Sequence, residues 1–284
     1  MPIAKAVVPK ETALRFSRTY AKKRYLEYLT EHLSPDWVNL DIDDGPMISD
    51  RLRLLTGSLD EKSYRAEYPD GQFFYESYRR GYHIFKMLER QNFNFRTCGS
   101  ILDFGCGSAR MLRLYRYMDG VRLVGSDANP ECIEWCKQNV SGCEFYVNHL
   151  APPLAFAGKN EFDFIVSISV FTHIPLDQQT VWLEEMKRIL RPGGFLVCTV
   201  VGAFNIDAQL GPAGRRLLRE KREISLAVDD PGVSLSTKAG GSHYDVFQRR
   251  DRVIEVFGSV LKLCDYIPCT WAPLVQDVLV LQKT

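Results

Sequence analysis

No apolar run in this sequence reaches membrane-spanning length. The longest, residues 193–204, is short and rich in glycine, where a bilayer helix needs about 20 apolar residues. Residues 1–30 lack the continuous apolar region of a secretory signal. An excess of one charge is missing too: 36 Lys and Arg face 35 Asp and Glu, for a formal net charge of +1. Bulk electrostatics therefore gives no pointer to nucleic acid. None of the eight cysteines forms a Cys-x-x-Cys pair, and no histidine stands at zinc-ligand spacing from Cys132 and Cys136. Unpaired thiols in apolar strand-like runs behave as small buried hydrophobes, which points to a reducing, cytoplasmic compartment and no metal. With 20 glycines and 14 prolines in 284 residues, collagen-like and linker-dominated chains are excluded. Repeats, low-complexity segments and heptads are absent, so nothing addresses oligomeric state. What remains is a globular enzyme-sized chain, 45% hydrophobic and 25% charged.

Two rhythms divide it. Residues 1–24 hold seven Lys or Arg and one acid, Glu11, a solvated helix face or a basic targeting or membrane-surface helix. A mostly helical pattern then runs to Gln91, broken near Ser34-Pro35 and at Asp43-Asp44-Gly45-Pro46. Its dense aromatics, from Tyr64 and Tyr68 to Tyr78 and Tyr82, suit either a cap over a ligand or the packing face of a helical layer. From Ser100 the chain alternates. Strands are predicted over 101–104, 121–126, 144–147, 162–169 and 195–201, with helices to Met118, over 130–139 and from Asp177 to Arg191. Asn129-Pro130 supplies a cap followed by proline at the first helical position. Residues 202–243 lose this regularity except for a basic helical piece at 215–222, a solvated face or a local basic patch. Order returns with a helix over 249–257 and strands over 261–266 and 278–282. With no helix between them, those two strands must pair antiparallel. The fold expected is α/β: a doubly wound, Rossmann-like, seven-stranded sheet with the last strand antiparallel, plus an N-terminal helical cap. The organisation expected is a helical extension over 1–95 and a main domain over 96–284, with 202–243 as a variable substrate-side insertion.

The chemistry concentrates at strand ends. Asp103-Phe104-Gly105-Cys106-Gly107-Ser108-Ala109-Arg110 sits at a strand-to-helix turn, where glycines permit tight turning and close ligand approach to free N–H groups. Arg110 occupies the third glycine position of the dinucleotide fingerprint. Asp103 offers nothing to a pyrophosphate but suits a ligand with a cationic amino-acid end. Together they argue against a nicotinamide-dependent oxidoreductase. Asp127 closes the second strand, where a carboxylate accepts both hydroxyls of a ribose, or merely caps a helix. Asn148 closes the third, as an adenine-amine reader or a turn former.

These segments resemble the ordered motifs of class I S-adenosylmethionine-dependent methyltransferases. The likeness rests on Asp103-Phe104-Gly105-Cys106-Gly107, Asp127, Phe162-Asp163-Phe164-Ile165-Val166, Ser169-Val170-Phe171-Thr172-His173 and Leu190-Arg191-Pro192-Gly193-Gly194-Phe195. It is strong over roughly 96–204 and looser over 243–284. Trp182-Leu183-Glu184-Glu185 and the terminal Gln276-Asp277-Val278-Leu279 are similar to a bacterial subgroup associated with glycan or small-molecule modification. The resemblance implies S-adenosylmethionine as cofactor. Asp103, Gly105 and Gly107 would line its methionine end, and Asp127 would hold the ribose. Ala128 would lie beside the adenine and Asn148 near its amine, with Ser167 and Ile168 close to the sulfonium. Asn148 stands where many relatives keep an acid.

Methyl transfer is an in-line displacement dominated by positioning, and oxygen acceptors of high pKa also need a base. His173 and His243 are the candidate bases, each equally readable as a structural histidine; His149, His32 and His83 have less context. The fourth strand ends in Ser167-Ile168-Ser169-Val170, without the Asn/Asp-Pro-Pro-aromatic motif of amino-group methylators or a Pro-Cys pair. The expectation is methylation of a small molecule or glycan at oxygen, with no nucleic-acid partner. Its alternatives are a protein or RNA acceptor, or a non-catalytic cofactor-binding protein of the same fold.

Overall fold

In the computed structural model, residues 10–32, 70–227, 244–268 and 276–284 are described. Two helices come first, α1 (Lys10–His32) and α2 (Asp70–Arg90), followed by β1 (Ser100–Phe104), α3 (Leu112–Tyr115), β2 (Arg122–Asp127), α4 (Pro130–Asn139) and β3 (Glu144–Val147). The second half adds β4 (Phe162–Ser167), α5 (Leu176–Ile189), β5 (Leu190–Val200), α6 (Ala203–Gln209), α7 (Pro212–Lys221), β6 (Glu223–Ala227), β7 (Tyr244–Gln248), α8 (Arg250–Val260), β8 (Lys262–Ile267) and β9 (Asp277–Gln282). Seven strands form one sheet in the order β3-β2-β1-β4-β5-β9-β8. Pairing is parallel from β3 through β5, while β9 runs antiparallel to both β5 and β8. The last strand of the chain is antiparallel, as the sequence predicted, and it lies inside the sheet between β5 and β8.

Strand alternation divides the core between the two faces. Ile101, Phe164, Val166, Phe195, Val197, Val278 and Val280 pack with Tyr25, Phe85, Leu112 and Ile133 of the α1 to α4 layer. Leu102, Phe104, Ile165, Leu196, Leu279 and Leu281 pack with Trp182, Leu183 and Met186 of α5 and Phe257 of α8. Burial on both faces is why β1 and β4 read as continuous apolar runs rather than alternating ones. Tyr25 of α1 is fully buried and donates its hydroxyl to Leu114 O at 2.7 Å. Tyr78 is buried, and Tyr82 packs on the same cluster. These described members of the aromatic band lie on a packing face; Tyr64 and Tyr68 lie outside the described residues.

Helix α4 starts and stops at the residues the Asn129 cap predicts, its Oδ1 accepting from Glu131 and Cys132 N–H. Helix α5 differs: Pro175 is its N-cap, without a side-chain bond, and Asp177 falls in the first turn. The described part of the 202–243 segment, residues 202–227, is more regular than its pattern implied. It contributes α6, α7 and β6, and β6 pairs antiparallel with β7 in a two-stranded ribbon. Phe247 of that ribbon bridges Val201 just past β5, which seats the ribbon at the carboxyl edge of the main sheet.

Candidate active site

The carboxyl ends of β1, β2 and β4 converge on the Gly105 turn. Gly105 adopts φ +78°, and a Cβ there would lie 2.2 Å from Val170 Cγ2. No other residue fits, because both the left-handed backbone and the contact with the loop after β4 exclude a side chain. Gly105 and Cys106 N–H both donate to Ser126 O, at 2.8 and 2.9 Å, which ties the turn to the end of β2.

Asp127 is fixed between two loops. Its Oδ2 accepts from Gly107 N–H and its Oδ1 from Asn129 N–H, each at 2.8 Å. Burial raises its pKa, while N–H groups of Asn129, Gly107 and Ala128 oppose that rise. Asp103 lies one strand away and is buried, and its Oδ2 has no hydrogen-bond partner. Burial foremost, with the charge of Asp127 adding, pushes it up to about 7 against the Leu112 N–H and Arg110. A buried acceptor without a donor is costly and characteristic of functional sites.

Asn148 follows β3, its N–H donating to Asp127 O at 3.0 Å. Its Nδ2 donates to His149 O at 2.9 Å and its buried Oδ1 has no partner. Half-buried Ala128 lies between Asp127 and the Asn129 cap. Ser167, last in β4, is fully buried with an unpartnered hydroxyl, and half-buried Ile168 packs on the core beneath it. Of the sequence-predicted cofactor residues, Asp103, Gly105, Gly107, Asp127, Ala128, Asn148, Ser167 and Ile168 all stand at this one edge of the sheet.

The loop after β4 carries His173. Its N–H donates to Val170 O at 2.8 Å, and its Nδ1 lies 3.3 Å from Asp245 Oδ1 of β7. Asp245 is buried, and the neighbouring Val246 N–H donates to Thr172 O at 2.9 Å, which fixes the ribbon against the histidine loop. His243 lies outside the described residues. His149 is exposed beside Asn148, and His83 lies on α2 against Tyr82, away from this edge.

Sequence reasoning missed three groups here. Asp245 stands two residues after the candidate base His243. Thr199 carries no local signal, and Gln276 enters only as part of the terminal Gln276-Asp277-Val278-Leu279 resemblance, with no role given to it. Ser169, at φ +60°, donates its N–H to Thr199 Oγ1 at 2.8 Å and its hydroxyl to Gln276 Oε1 at 2.9 Å. Thr199 Oγ1 donates to the same oxygen at 2.6 Å, so the mouth of β4 is bonded to the start of β9. Among the described residues there is no cluster of three or more metal-ligating side chains and no helix long and apolar enough to cross a membrane.

The chain spans about a third or less of the length of two curated relatives. A fatty-acid O-methyltransferase of Mycolicibacterium smegmatis is 32% identical over 105 residues, 35% of this chain and 36% of that protein. A tRNA (carboxymethyluridine(34)-5-O)-methyltransferase of Arabidopsis thaliana is 31% identical over 112 residues, 39% of this chain and 26% of that protein. The fold is shared with the 1,6-didemethyltoxoflavin-N1-methyltransferase of Burkholderia thailandensis, solved with S-adenosylhomocysteine. Its TM-score is 0.50 at 16% identity, covering 86% of this chain and 93% of that one. Residues 75–233, more than half of the sequence, match the family described as "Methyltransferase domain". The chain belongs to this methyltransferase-domain family, of the class I S-adenosylmethionine-dependent type.

Proposed function

We propose that this chain transfers the methyl group of S-adenosylmethionine to an oxygen atom of a small molecule or glycan. When bound, that cofactor supplies an electrophilic methyl group on a cationic sulfur. The residues at the sheet edge fit it. Asp103 Oδ2, buried without a donor, matches the ammonium of its methionine end, with Gly105 and Gly107 leaving the backbone bare beside it. Asp127 is held by two N–H groups and retains lone pairs on both oxygens for ribose hydroxyls. The unpartnered Asn148 Oδ1 suits the adenine amine, with Ala128 beside the ring and Ser167 and Ile168 toward the methyl-bearing end.

The His173–Asp245 pair carries the oxygen reading. A carboxylate accepting from Nδ1–H selects the tautomer whose Nε2 takes a proton, and it orients the ring, as in other base-and-orienter pairs. In this reading His173 removes the acceptor hydroxyl proton as the methyl group is received, and Asp245 positions it. His243, two residues from Asp245 in sequence, is the second candidate base. In this reading residues 1–95 are a helical extension of the 96–284 domain, and 202–243 is its variable substrate-side insertion.

A protein or RNA acceptor is the second reading, and three of the insertion's four arginines speak against the RNA form. Arg222 is paired with Asp251 and Glu255, Arg216 with Glu220, and Arg215 donates to the backbone carbonyls of Asp207 and Leu210. The test is transfer of labelled methyl from S-adenosylmethionine into panels of phenols, hydroxy acids, sugars, RNA and protein. His173→Ala should lower kcat about 100-fold or more on the best small acceptor while S-adenosylhomocysteine binds as before. Transfer confined to RNA or protein would replace this reading, and binding without any transfer would leave a non-catalytic protein.

A further inference from the structure

A cavity of about 430 Å³ lies between α7 and the start of α8 and is lined by none of the residues assigned to the cofactor. That volume is within the range of small-molecule sites. Val201, Ile206 and Leu218 give it an apolar wall, and Tyr266 and Asp277 form part of the floor at the ends of β8 and β9. Four arginines also line it: Arg215 and Arg219 of α7, Arg249 and Arg250 at the start of α8.

The charges do not cancel uniformly. Arg249 is committed to Asp251 through Nε and Nη2, at 3.1 and 3.2 Å. Asp251 also receives Arg222 Nε at 3.1 Å. Asp277 Oδ2 accepts the Tyr266 hydroxyl at 2.6 Å. Arg219 and Arg250 have no carboxylate within ion-pair distance among the described residues. Arg250 lies instead over the Tyr266 ring, 4.6 Å from its centroid. Helix α8 starts at this wall without a side-chain cap, with Asp251 in its first turn.

One more donor is unsatisfied. Gln248 closes β7 in the cavity wall, is 4% exposed, and its Nε2 has no hydrogen-bond partner. Leaving a buried amide N–H unpaired is expensive, and a ligand acceptor would relieve it. Unpaired guanidinium groups, an uncapped helix start and an orphaned amide donor all ask for an anion, while the opposite wall asks for hydrocarbon.

We propose that this cavity binds the anionic head, a carboxylate or phosphate, of a molecule with an apolar body. Arg219 and Arg250 hold the head, Gln248 donates to it, and Val201, Ile206 and Leu218 receive the hydrocarbon. Binding here needs neither the cofactor nor turnover, and so stands apart from the acceptor reading. The cavity nonetheless adjoins the mouth of β4: Asp277 lines it, while the preceding Gln276 is bonded to Ser169 and Thr199.

The experiment titrates the full chain calorimetrically with octanoate, octyl phosphate and 1-octanol. Saturable binding of an anion, with 1-octanol at least tenfold weaker, is expected. The Arg219→Ala/Arg250→Ala double variant should weaken anion binding about tenfold or more, Arg219→Lys/Arg250→Lys should restore part of it, and Gln248→Leu should weaken it separately. S-adenosylhomocysteine titrated into each variant should give the wild-type affinity, which certifies the fold. Binding of one anion and not the other supports the site and names its head group. Equal binding of 1-octanol, unchanged affinity in the double Ala variant, or no saturable binding of either anion would overturn the proposal.

Discussion

Asp103 and Asp127 are both carboxylates at the carboxyl edge of the sheet, yet their surroundings differ. Asp127 receives two backbone N–H groups on its two oxygens, whereas Asp103 has a buried oxygen with no donor. That difference sets a pH dependence. Burial, aided by Asp127, pushes Asp103 up to about 7, from an ordinary carboxylate value near 4. Between those limits the folded protein holds a proton that the unfolded chain releases. The associated stability is fully present at the acid end of the window and is lost as pH rises through 7, by a few kcal/mol. Asp103→Asn should therefore flatten the pH 5 to pH 8 difference in urea midpoint of the free protein. An unchanged slope in the variant would place the dependence elsewhere. In the proposed reading, where Asp103 receives the ammonium of the bound ligand, the same group should make S-adenosylhomocysteine binding weaken toward low pH, by up to about tenfold per unit below pH 7.

The residues that carry the family motifs do not all serve the site. Asp163, in the motif that marks β4, sits at the opposite edge of the sheet. It accepts from Gly99 and Ser100 N–H at 2.9 and 3.0 Å and pairs with Arg191 at 2.9 Å. It thus joins the start of β1, the start of β4 and the turn into β5. Asp163→Ala should cost roughly 1 to 3 kcal/mol by loss of several part-buried and exposed bonds that converge on one side chain and leave S-adenosylhomocysteine affinity unchanged. A variant that folds as stably as wild type, or binds tenfold more weakly, would contradict that structural role. The Arg191-Pro192-Gly193-Gly194 stretch is similar: it ends α5 as expected, but belongs to β5 at an irregular point of its pairing with β4. The β6–β7 ribbon was not legible, because its strands stand on either side of residues 228–243, a separation far longer than the hairpin turns that reveal a pairing locally.

For the molecule as a whole, the helical layer and the sheet share one core. Tyr25 of α1 contacts the Tyr78, Phe85 and Tyr117 rings at centroid distances of 5.7, 5.8 and 6.2 Å. With its hydroxyl on Leu114 O, it joins α1, α2 and the segment after the Gly105 turn. Tyr25→Ala should cost about 3 to 5 kcal/mol. Unfolding should stay one transition, with helical circular dichroism and S-adenosylhomocysteine binding lost at the same urea concentration. Two separated transitions would show the helical layer unfolding by itself.

Sequence alone determined the seven strands of the main sheet, the alternation of strands and helices, the antiparallel return at the end of the chain, and the Gly105 turn between two carboxylates. These rest on period, caps and glycine at fixed spacing, all of which act between near neighbours. The tertiary structure decided that β9 lies inside the sheet, that Asp245 and not only a histidine belongs at the mouth of β4, and that Gln276 bonds Ser169 there. It also decided that Gln248 and arginines of two helices enclose a cavity. Each of these joins residues distant in the chain, and such meetings are set by the closure of loops and the packing of whole layers, which no local pattern records.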